Sequence, residues 1–210
     1  MRPFSSSRSS ARDPGKRREK PPPKPPKPLD SARLNDLALA YVAKFATSAA
    51  KLEDYLRRKL RERGWAGDDA PDAPDAPDPP EPPDLAALVA RYVEAGYIDD
   101  TAYARAKSGS LLRRGYGERR IGQALGAAGI TEDVRAEVRS GLSEQRAAAL
   151  AMAKKRRFGP FGQVLPERPQ REKQLSALLR AGHPLDSARV LVNAVSVAAA
   201  EDWAAEPGDE

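Results

Sequence analysis

Basic side chains cluster at three places in this 210-residue chain, and clustered Arg and Lys are the groups that bind phosphate. The clusters are Arg57, Arg58, Lys59 and Arg61; Arg113, Arg114, Arg119 and Arg120, with Tyr116 between them; and Lys154, Lys155, Arg156 and Arg157. Such clusters bind a phosphate backbone or an acidic protein surface, with strong salt dependence and little sequence preference. Aromatic side chains near them are few (Tyr55, Tyr116 and Phe158), which disfavours a platform for base stacking.

Catalytic chemistry has no comparable signal. The chain has no Cys, which excludes thiol nucleophiles and thiolate metal sites, and its single histidine, His183, cannot form a histidine-based zinc site. Ser48 and Lys51 match a Ser-x-x-Lys pattern without its partner motifs, and an N-cap role explains Ser48. The glycines around Tyr116 lack the Lys-Ser/Thr of a phosphate loop. We expect no enzyme activity, catalytic residue, metal site or cofactor.

The segment from Gly96 to Asp100 (GYIDD) carries two adjacent carboxylates, and we interpret it as a helix corner rather than an acid pair. Gly96 suits a left-handed helix end, Tyr97 and Ile98 are expected to pack across the junction, and Asp99 or Asp100 to cap the next helix.

Charge and proline are concentrated in segments that resemble linkers. Residues 1–28 hold eight prolines at net +7, residues 66–84 hold seven prolines at net −7, and residues 201–210 carry five acidic and no basic residues. The remaining 153 residues have a net charge of +11, within a total of +6. No apolar run approaches the roughly 18–20 residues of a membrane span, and no secretory core follows the basic N-terminus. We expect a soluble, cytoplasmic protein whose basic body binds nucleic acid or a nucleoprotein.

The 153-residue body predicts amphipathic helices, because a glycine or turn recurs every 12–20 residues and β-branched alternation is nearly absent. In the first helix, Leu34, Leu37, Tyr41 and Phe45 form one apolar stripe. Predicted N-cap residues precede the stripes: Ser31, Ser48, Asp84, Asp100, Thr131 and Ser143. Glycines mark the predicted helix ends: Gly64, Gly96, Gly115, Gly129, Gly159 and Gly182.

Aligning the chain on Gly64, Gly129 and Gly182 exposes an internal repeat. A leucine stands four residues before each of these glycines. In each unit the glycine ends the second helix, a first helix precedes that one, and a third helix follows the glycine. The sequence predicts an all-α fold of three tandem three-helix repeats in an elongated, curved array, in which each small unit packs on its neighbour.

Residues 96–130 (GYIDDTAYARAKSGSLLRRGYGERRIGQALGAAGI) resemble the central repeat of the RecX family. The segments YLRRKL (55–60) and KKRRFG (154–159) resemble its first and third repeats, so that the resemblance covers about residues 31–197. Leu52 and Tyr55 depart from the Ser and Glu that many members have at these places. The resemblance implies a regulator that binds the RecA filament on DNA and modulates, in the inhibitory direction, ATP hydrolysis, LexA cleavage and strand exchange in DNA repair.

These predictions divide the chain into five parts. We expect residues 1–28 to form a disordered basic tail, 29–98 the first repeat with a disordered linker at 66–83, 99–142 the second repeat, 143–198 the third, and 199–210 an acidic tail. The three basic clusters are the candidate contacts to RecA or DNA in a monomer. The alternative is a general helical nucleic-acid-binding protein that acts independently of RecA.

Overall fold

A computed structural model describes residues 27–67 and 81–207. These residues form ten α-helices, one short 3-10 helix and no strand; a single isolated bridge joins Leu29 to Trp65. The all-α prediction is therefore confirmed. Predictions for residues 1–26, 68–80 and 208–210 lie outside the described residues.

Three helices surround the core of the first repeat: α1 (Ser31–Lys44), α2 (Ala49–Arg63) and α3 (Leu85–Glu94). Side chains of Asp30, Ser48 and Asp84 accept hydrogen bonds from the first turns of α1, α2 and α3. Asp30 therefore caps α1, one residue before the predicted Ser31. Leucines that are almost fully buried, such as Leu52 and Leu56, fill the space between the helices.

The second repeat comprises α4 (Asp100–Arg113), α5 (Glu118–Gly126) and α6 (Glu132–Glu137), around Ile121 and Leu125. This repeat was predicted to end at residue 142, but its last helix, α6, ends at Glu137. Leu142 instead begins the next helix, because Gly141 is its N-cap and donates its backbone N–H to Glu144 at 3.2 Å. The predicted cap Ser143 lies inside that helix.

The third repeat comprises α7 (Leu142–Arg156), α8 (Arg168–Arg180) and α9 (Leu185–Asn193), with a 3-10 turn at Gly159–Phe161. An additional helix, α10 (Val197–Ala205), packs on α7. Its Ala200 and Trp203 join Ala149 and Leu191 in a buried cluster. Residues 199–205 of the predicted acidic tail are thus helical and packed: Ala200 and Ala204 are buried against the third repeat, Glu201 pairs with Lys154 of α7, and Asp202 is exposed.

Equivalent residues join each repeat to the next. At the first junction, Ser48, the N-cap of α2, donates its hydroxyl to the carbonyl of Ala128 at 2.5 Å. At the second, Gly117, the N-cap of α5, donates its N–H to the carbonyl of Ala181 at 2.9 Å. Ala128 and Ala181 each precede the glycine on which the repeats align. The second helices of the three repeats therefore meet N-terminus to C-terminus.

The GYIDD corner contributes to the first of these junctions. Asp99 caps α4 by accepting the N–H of Ala102 at 2.8 Å, whereas Asp100 accepts the N–H of Ala49, at the start of α2, at 2.9 Å. Ile98 is buried as predicted, but Tyr97 is 60% exposed and does not pack across the junction as expected. Both carboxylates thus have structural hydrogen-bond partners.

Candidate nucleic-acid and protein interface

The first basic cluster lies on the second half of α2, and most of its charge is compensated locally. Arg57 forms ion pairs with Glu53 and Asp54, while Arg58 and Lys59 both approach Glu62, at 3.7 and 2.6 Å. The hydrogen bond from Lys59 is the largest cause that lowers the pKa of the Glu62 carboxyl. Arg61 alone in this cluster forms no ion pair within the described chain.

The second cluster surrounds the turn between α4 and α5. Arg113 and Arg114 end α4, and the Arg114 guanidinium lies over the Tyr116 ring at 5.4 Å. The Arg119 guanidinium donates to the carbonyl of Leu179, at the end of α8, so this side chain has a structural role at the second junction. Among the described ion pairs none involves Arg113, Arg114 or Arg120, which are all exposed.

Tyr116 and its glycines form the tight turn that the sequence indicates. The Tyr116 ring is half-buried and packs against the cores of both the second and the third repeat. The N–H of Gly117 is used by Ala181 and is therefore unavailable to a phosphate. Tyr116 accordingly supports the surface beneath Arg114.

The third cluster lies in the last turn of α7. Lys154 faces α10, where it pairs with Glu201 at 2.5 Å. Lys155, Arg156 and Arg157 are exposed, and no described acidic side chain pairs with them. Arg157 adopts the left-handed conformation, with φ of 55°, as the C-cap of the helix.

The helices that carry the second and third clusters are in contact, and the first cluster lies farther along α2. A Cβ added at Gly115 would lie 3.0 Å from Met152 of α7, so the turn after α4 abuts the C-terminal half of that helix. Lys155 and Arg156 follow Met152 by three and four residues and therefore lie on the same helix face, one turn on. We call Arg113, Arg114, Arg120, Lys155 and Arg156 the junction basic surface. The first cluster lies about two turns beyond Ala50, where α2 meets the second repeat.

Two features of the site have no clear signal in the sequence. Arg180 is an exposed cation at the end of α8, two residues before Gly182, whose backbone abuts Arg120. At the first cluster, Tyr41 and Phe45 of the α1 stripe join Tyr55 in a series of ring contacts. The sequence placed both α1 rings in the core, whereas Phe45 is 48% exposed.

A groove of about 840 Å³ follows the second junction, between α5, α6 and the start of α9. Arg119, Arg135 and Arg139 line it together with Glu118 and Glu132. The two carboxylates are already engaged, by Ser140 and by Arg135 respectively, so the groove has a net basic lining with mixed charge.

His183 lies at the inner edge of this groove and is 97% buried. One ring nitrogen, Nε2, is 3.0 Å from the carbonyl of Gly115, while Nδ1 is buried with no hydrogen-bond partner in the described structure. Burial is the largest effect and lowers the pKa of this imidazole. The ring thus links the second repeat to the third through its contact with the carbonyl of Gly115.

Within residues 27–67 and 81–207, no three His, Asp or Glu side chains converge as metal ligands, and no helix is both long and apolar enough to cross a membrane.

Comparison with known proteins shows which family this chain resembles. The family model "RecX, second three-helix domain" matches residues 99–138, which span the second repeat. A protein named Regulatory protein RecX from Myxococcus xanthus is 30% identical over 185 residues, covering 86% of this chain and 94% of that protein. Regulatory protein RecX from Agrobacterium fabrum is 33% identical over 108 residues, covering 50% of this chain and 56% of its own.

A solved structure shares the fold. The crystal structure of RecX from Lactobacillus salivarius superposes with a TM-score of 0.53 over 77% of this chain and 93% of that chain, at 17% sequence identity. The likeness to the Myxococcus protein extends through all three repeats, and the family model falls on the second of them. On these grounds the chain belongs to the RecX family of regulatory proteins.

Proposed function

We propose that this protein regulates RecA by binding the RecA filament on DNA and inhibiting its ATP hydrolysis, strand exchange and co-protease function. The observation that carries the proposal is the membership of nearly the whole chain in a family of regulatory proteins. The protein acts in this proposal as a cytoplasmic monomer, by binding alone and without catalysis of its own.

The junction basic surface supports this function on physical grounds. Its five cations have no acidic partner among the described residues, so their charge is available to phosphate or to acidic protein surface. Most of the first cluster, in contrast, is neutralised by acids of α2. Because backbone hydrogen bonds fix the second repeat to the third, several weak contacts on this surface act together.

The test is the DNA-dependent ATPase of purified RecA. The wild-type chain is expected to suppress it at substoichiometric amounts, and absence of an effect at stoichiometric excess would refute the proposal. Changing Arg113, Arg114 and Arg120 together to Glu should abolish suppression. If three phosphate contacts are lost, the slope of log affinity for DNA against log salt should fall by about 2–3. Arg119 is left intact because of its bond to Leu179.

A matched control lies on α8, where Arg168, Arg171 and Lys173 are exposed outside the three predicted clusters. Changing these three to Glu alters the net charge by the same amount, and this variant should suppress the ATPase like wild type. Equal loss of suppression in both triple variants would show that suppression depends on net charge alone. It would refute a specific role of the junction basic surface.

The second candidate is a nucleic-acid-binding protein that acts independently of RecA. The exposed ring of Phe45, with the Lys44 ammonium beside it, favours this candidate, because such rings stack on bases without a protein partner. Tight DNA binding combined with no effect on RecA would select this candidate.

A further inference from the structure

We propose that Tyr55, Tyr41 and Phe45, here named the ring series, form a stacking platform for the bases of single-stranded DNA. The proposal deepens the DNA-binding part of the proposed function, since it assigns a specific surface to the strand. It concerns the first repeat, away from the junction basic surface, and its test requires no RecA.

The three rings are arranged as a ladder from the core outward. Tyr41 of α1 and Tyr55 of α2 are stacked, with centroids 4.3 Å apart and planes at 18°. Phe45 follows one helical turn after Tyr41, with centroids 5.3 Å apart and planes at 51°. Tyr41 and Tyr55 pack against the core of the first repeat, whereas Phe45 does not belong to that cluster. The inner rings therefore hold the outer ring in place.

Phe45 is exposed because the backbone leaves the helix at this residue. It is the C-cap of α1, with extended φ and ψ of −131° and 128°, while earlier residues of the predicted stripe such as Leu34 are buried. Its N–H still donates to the carbonyl of Tyr41 at 3.0 Å, so the exposed ring extends from an anchored backbone. A half-exposed aromatic ring on a fixed support loses little conformational entropy when a base stacks on it.

Cations flank both ends of the ring series. The Lys44 ammonium lies 5.4 Å from the centroid of Phe45, and Arg58 and Lys59 lie 5.6 and 5.9 Å from that of Tyr55. Lys44 has no ion pair in the described part of the chain, and Glu62 neutralises part of the charge of the other two. Aromatic faces beside cations match a polymer that alternates flat bases with phosphates.

Single-stranded DNA fits these features better than duplex or protein. In a duplex each base face is covered by the next base pair, so only a single strand can present a face to Phe45. An acidic protein segment would satisfy Lys44 but would leave the exposed aromatic face without a planar partner. Stacking needs no contact to a ribose hydroxyl, so the strand in the DNA filament of the proposed function is sufficient.

The test measures the affinity of the full chain for a fluorescent 20-mer of deoxythymidine by anisotropy. Because one stacked base contributes about 1–3 kcal/mol, Phe45→Ala should weaken binding about 5- to 150-fold. Tyr97→Ala is the control: Tyr97 is 60% exposed and contacts only Tyr92 among the rings, at 5.7 Å, so its removal should leave affinity unchanged. Circular dichroism and thermal unfolding of both variants should match the wild type.

A second variant keeps the test independent of truncation effects. Phe45→Trp should bind at least as tightly as wild type, and its additional fluorescence, relative to the background of Trp65 and Trp203, should be quenched by the oligonucleotide. Unchanged affinity in Phe45→Ala, or absence of additional quenching in Phe45→Trp, would overturn the platform.

Further arms separate the alternatives. Equal dependence on Phe45 for a 20-base-pair duplex, or binding of the uridine 20-mer without binding of the deoxythymidine 20-mer, would overturn the assignment to single-stranded DNA. The same assignment would be overturned by a Phe45→Ala variant that binds the oligonucleotide normally but loses affinity for RecA in the absence of DNA. A chain that binds no oligonucleotide yet suppresses the RecA ATPase would overturn the platform and leave the proposed function standing.

Discussion

Replacing Gly117 by alanine should separate the second repeat from the third. A Cβ at this position would meet the carbonyl group of Gly182 and would lie 2.5 Å from the amide nitrogen of His183. All of these are backbone atoms, so no side-chain rotation relieves the clash. The φ and ψ of Gly117, −86° and 167°, are ordinary for alanine. The substitution therefore tests the approach of the two backbones and nothing else.

The magnitude follows from the bonds that the separation would break. To restore ordinary contacts of 3.4–4 Å, the backbones must move apart by roughly 1 Å. That movement stretches the Gly117–Ala181 bond of 2.9 Å and the His183–Gly115 bond of 3.0 Å beyond useful length. At about 1 kcal/mol net for each bond, we expect a loss of about 2 kcal/mol, within the range of about 1–3 kcal/mol for overpacking.

Urea denaturation followed by circular dichroism measures this loss, and the same helix provides the control. A Cβ at Gly122, in the middle of α5, would meet no atom within 4 Å. Gly122→Ala should therefore stabilise the protein by about 0.5–1 kcal/mol, because it lowers the entropy of the unfolded chain and raises helix propensity. A denaturation midpoint for Gly117→Ala that is equal to or above that of the wild type would refute the reasoning.

Three other substitutions test the junctions and the last helix. Burial depresses the pKa of His183 in the folded state, so the unfolded chain takes up the proton more readily. The free energy of unfolding should therefore be highest above the ordinary pKa of 6.5 and should fall as the pH drops below it. His183→Gln should remove this part of the pH dependence of urea unfolding. Ser48→Ala removes the cap of α2 and the donor to Ala128, and should cost about 2–3 kcal/mol in the same measurement, whereas a loss below about 0.5 kcal/mol would contradict the role of the hydroxyl. Trp203→Ala removes the ring that packs on the third repeat and beneath Arg146, at 5.3 Å, so limited proteolysis should cut near α10 sooner than in wild type, while Trp203→Phe should be cut more slowly than Trp203→Ala.

Helix ends were predictable because they depend on local chemistry. Gly64, Gly129 and Gly182 all have positive φ, from 73° to 96°, which L-residues rarely adopt, and a recurring glycine therefore marks the repeat. Ser48 and Asp84 cap the helices that they were expected to cap, because a short polar side chain before an apolar stripe satisfies the free N–H groups.

The last helix was missed because overall charge concealed a local pattern. Counting acidic residues from 201 to 210 suggested a tail, yet Ala200, Trp203 and Ala204 recur at helical spacing after a Ser196 that accepts the N–H of Ala199. The same signals that identified the other helices were present here. A net charge describes solubility, whereas helical periodicity describes which side chains can be buried.

The sequence predicts only in part which cations are free to bind a ligand. The pairing of Arg57 with Glu53 follows from their i, i+4 spacing on one helix and is visible in the sequence. The engagement of Arg119 by Leu179 joins residues 60 positions apart and depends on how two repeats dock. Sequence reasoning therefore identifies charged helix faces, while tertiary contacts decide which of their side chains can meet a ligand.

The N-cap of the second helix contacts the next repeat at both junctions, but with different chemistry. The first junction needs the hydroxyl of Ser48 at this position, whereas the second needs the absence of a side chain at Gly117. Ser48 spans the gap to Ala128 with its hydroxyl, so the backbones at the first junction remain farther apart. Gly117 has no side chain, so its own N–H reaches Ala181 directly. The second junction is consequently the closer backbone contact, and it lies beside the unpaired cations of Arg113, Arg114 and Arg120. A surface that must hold several charges in fixed positions benefits from a support made of backbone, because backbone atoms lose no rotamer freedom when they are fixed in place.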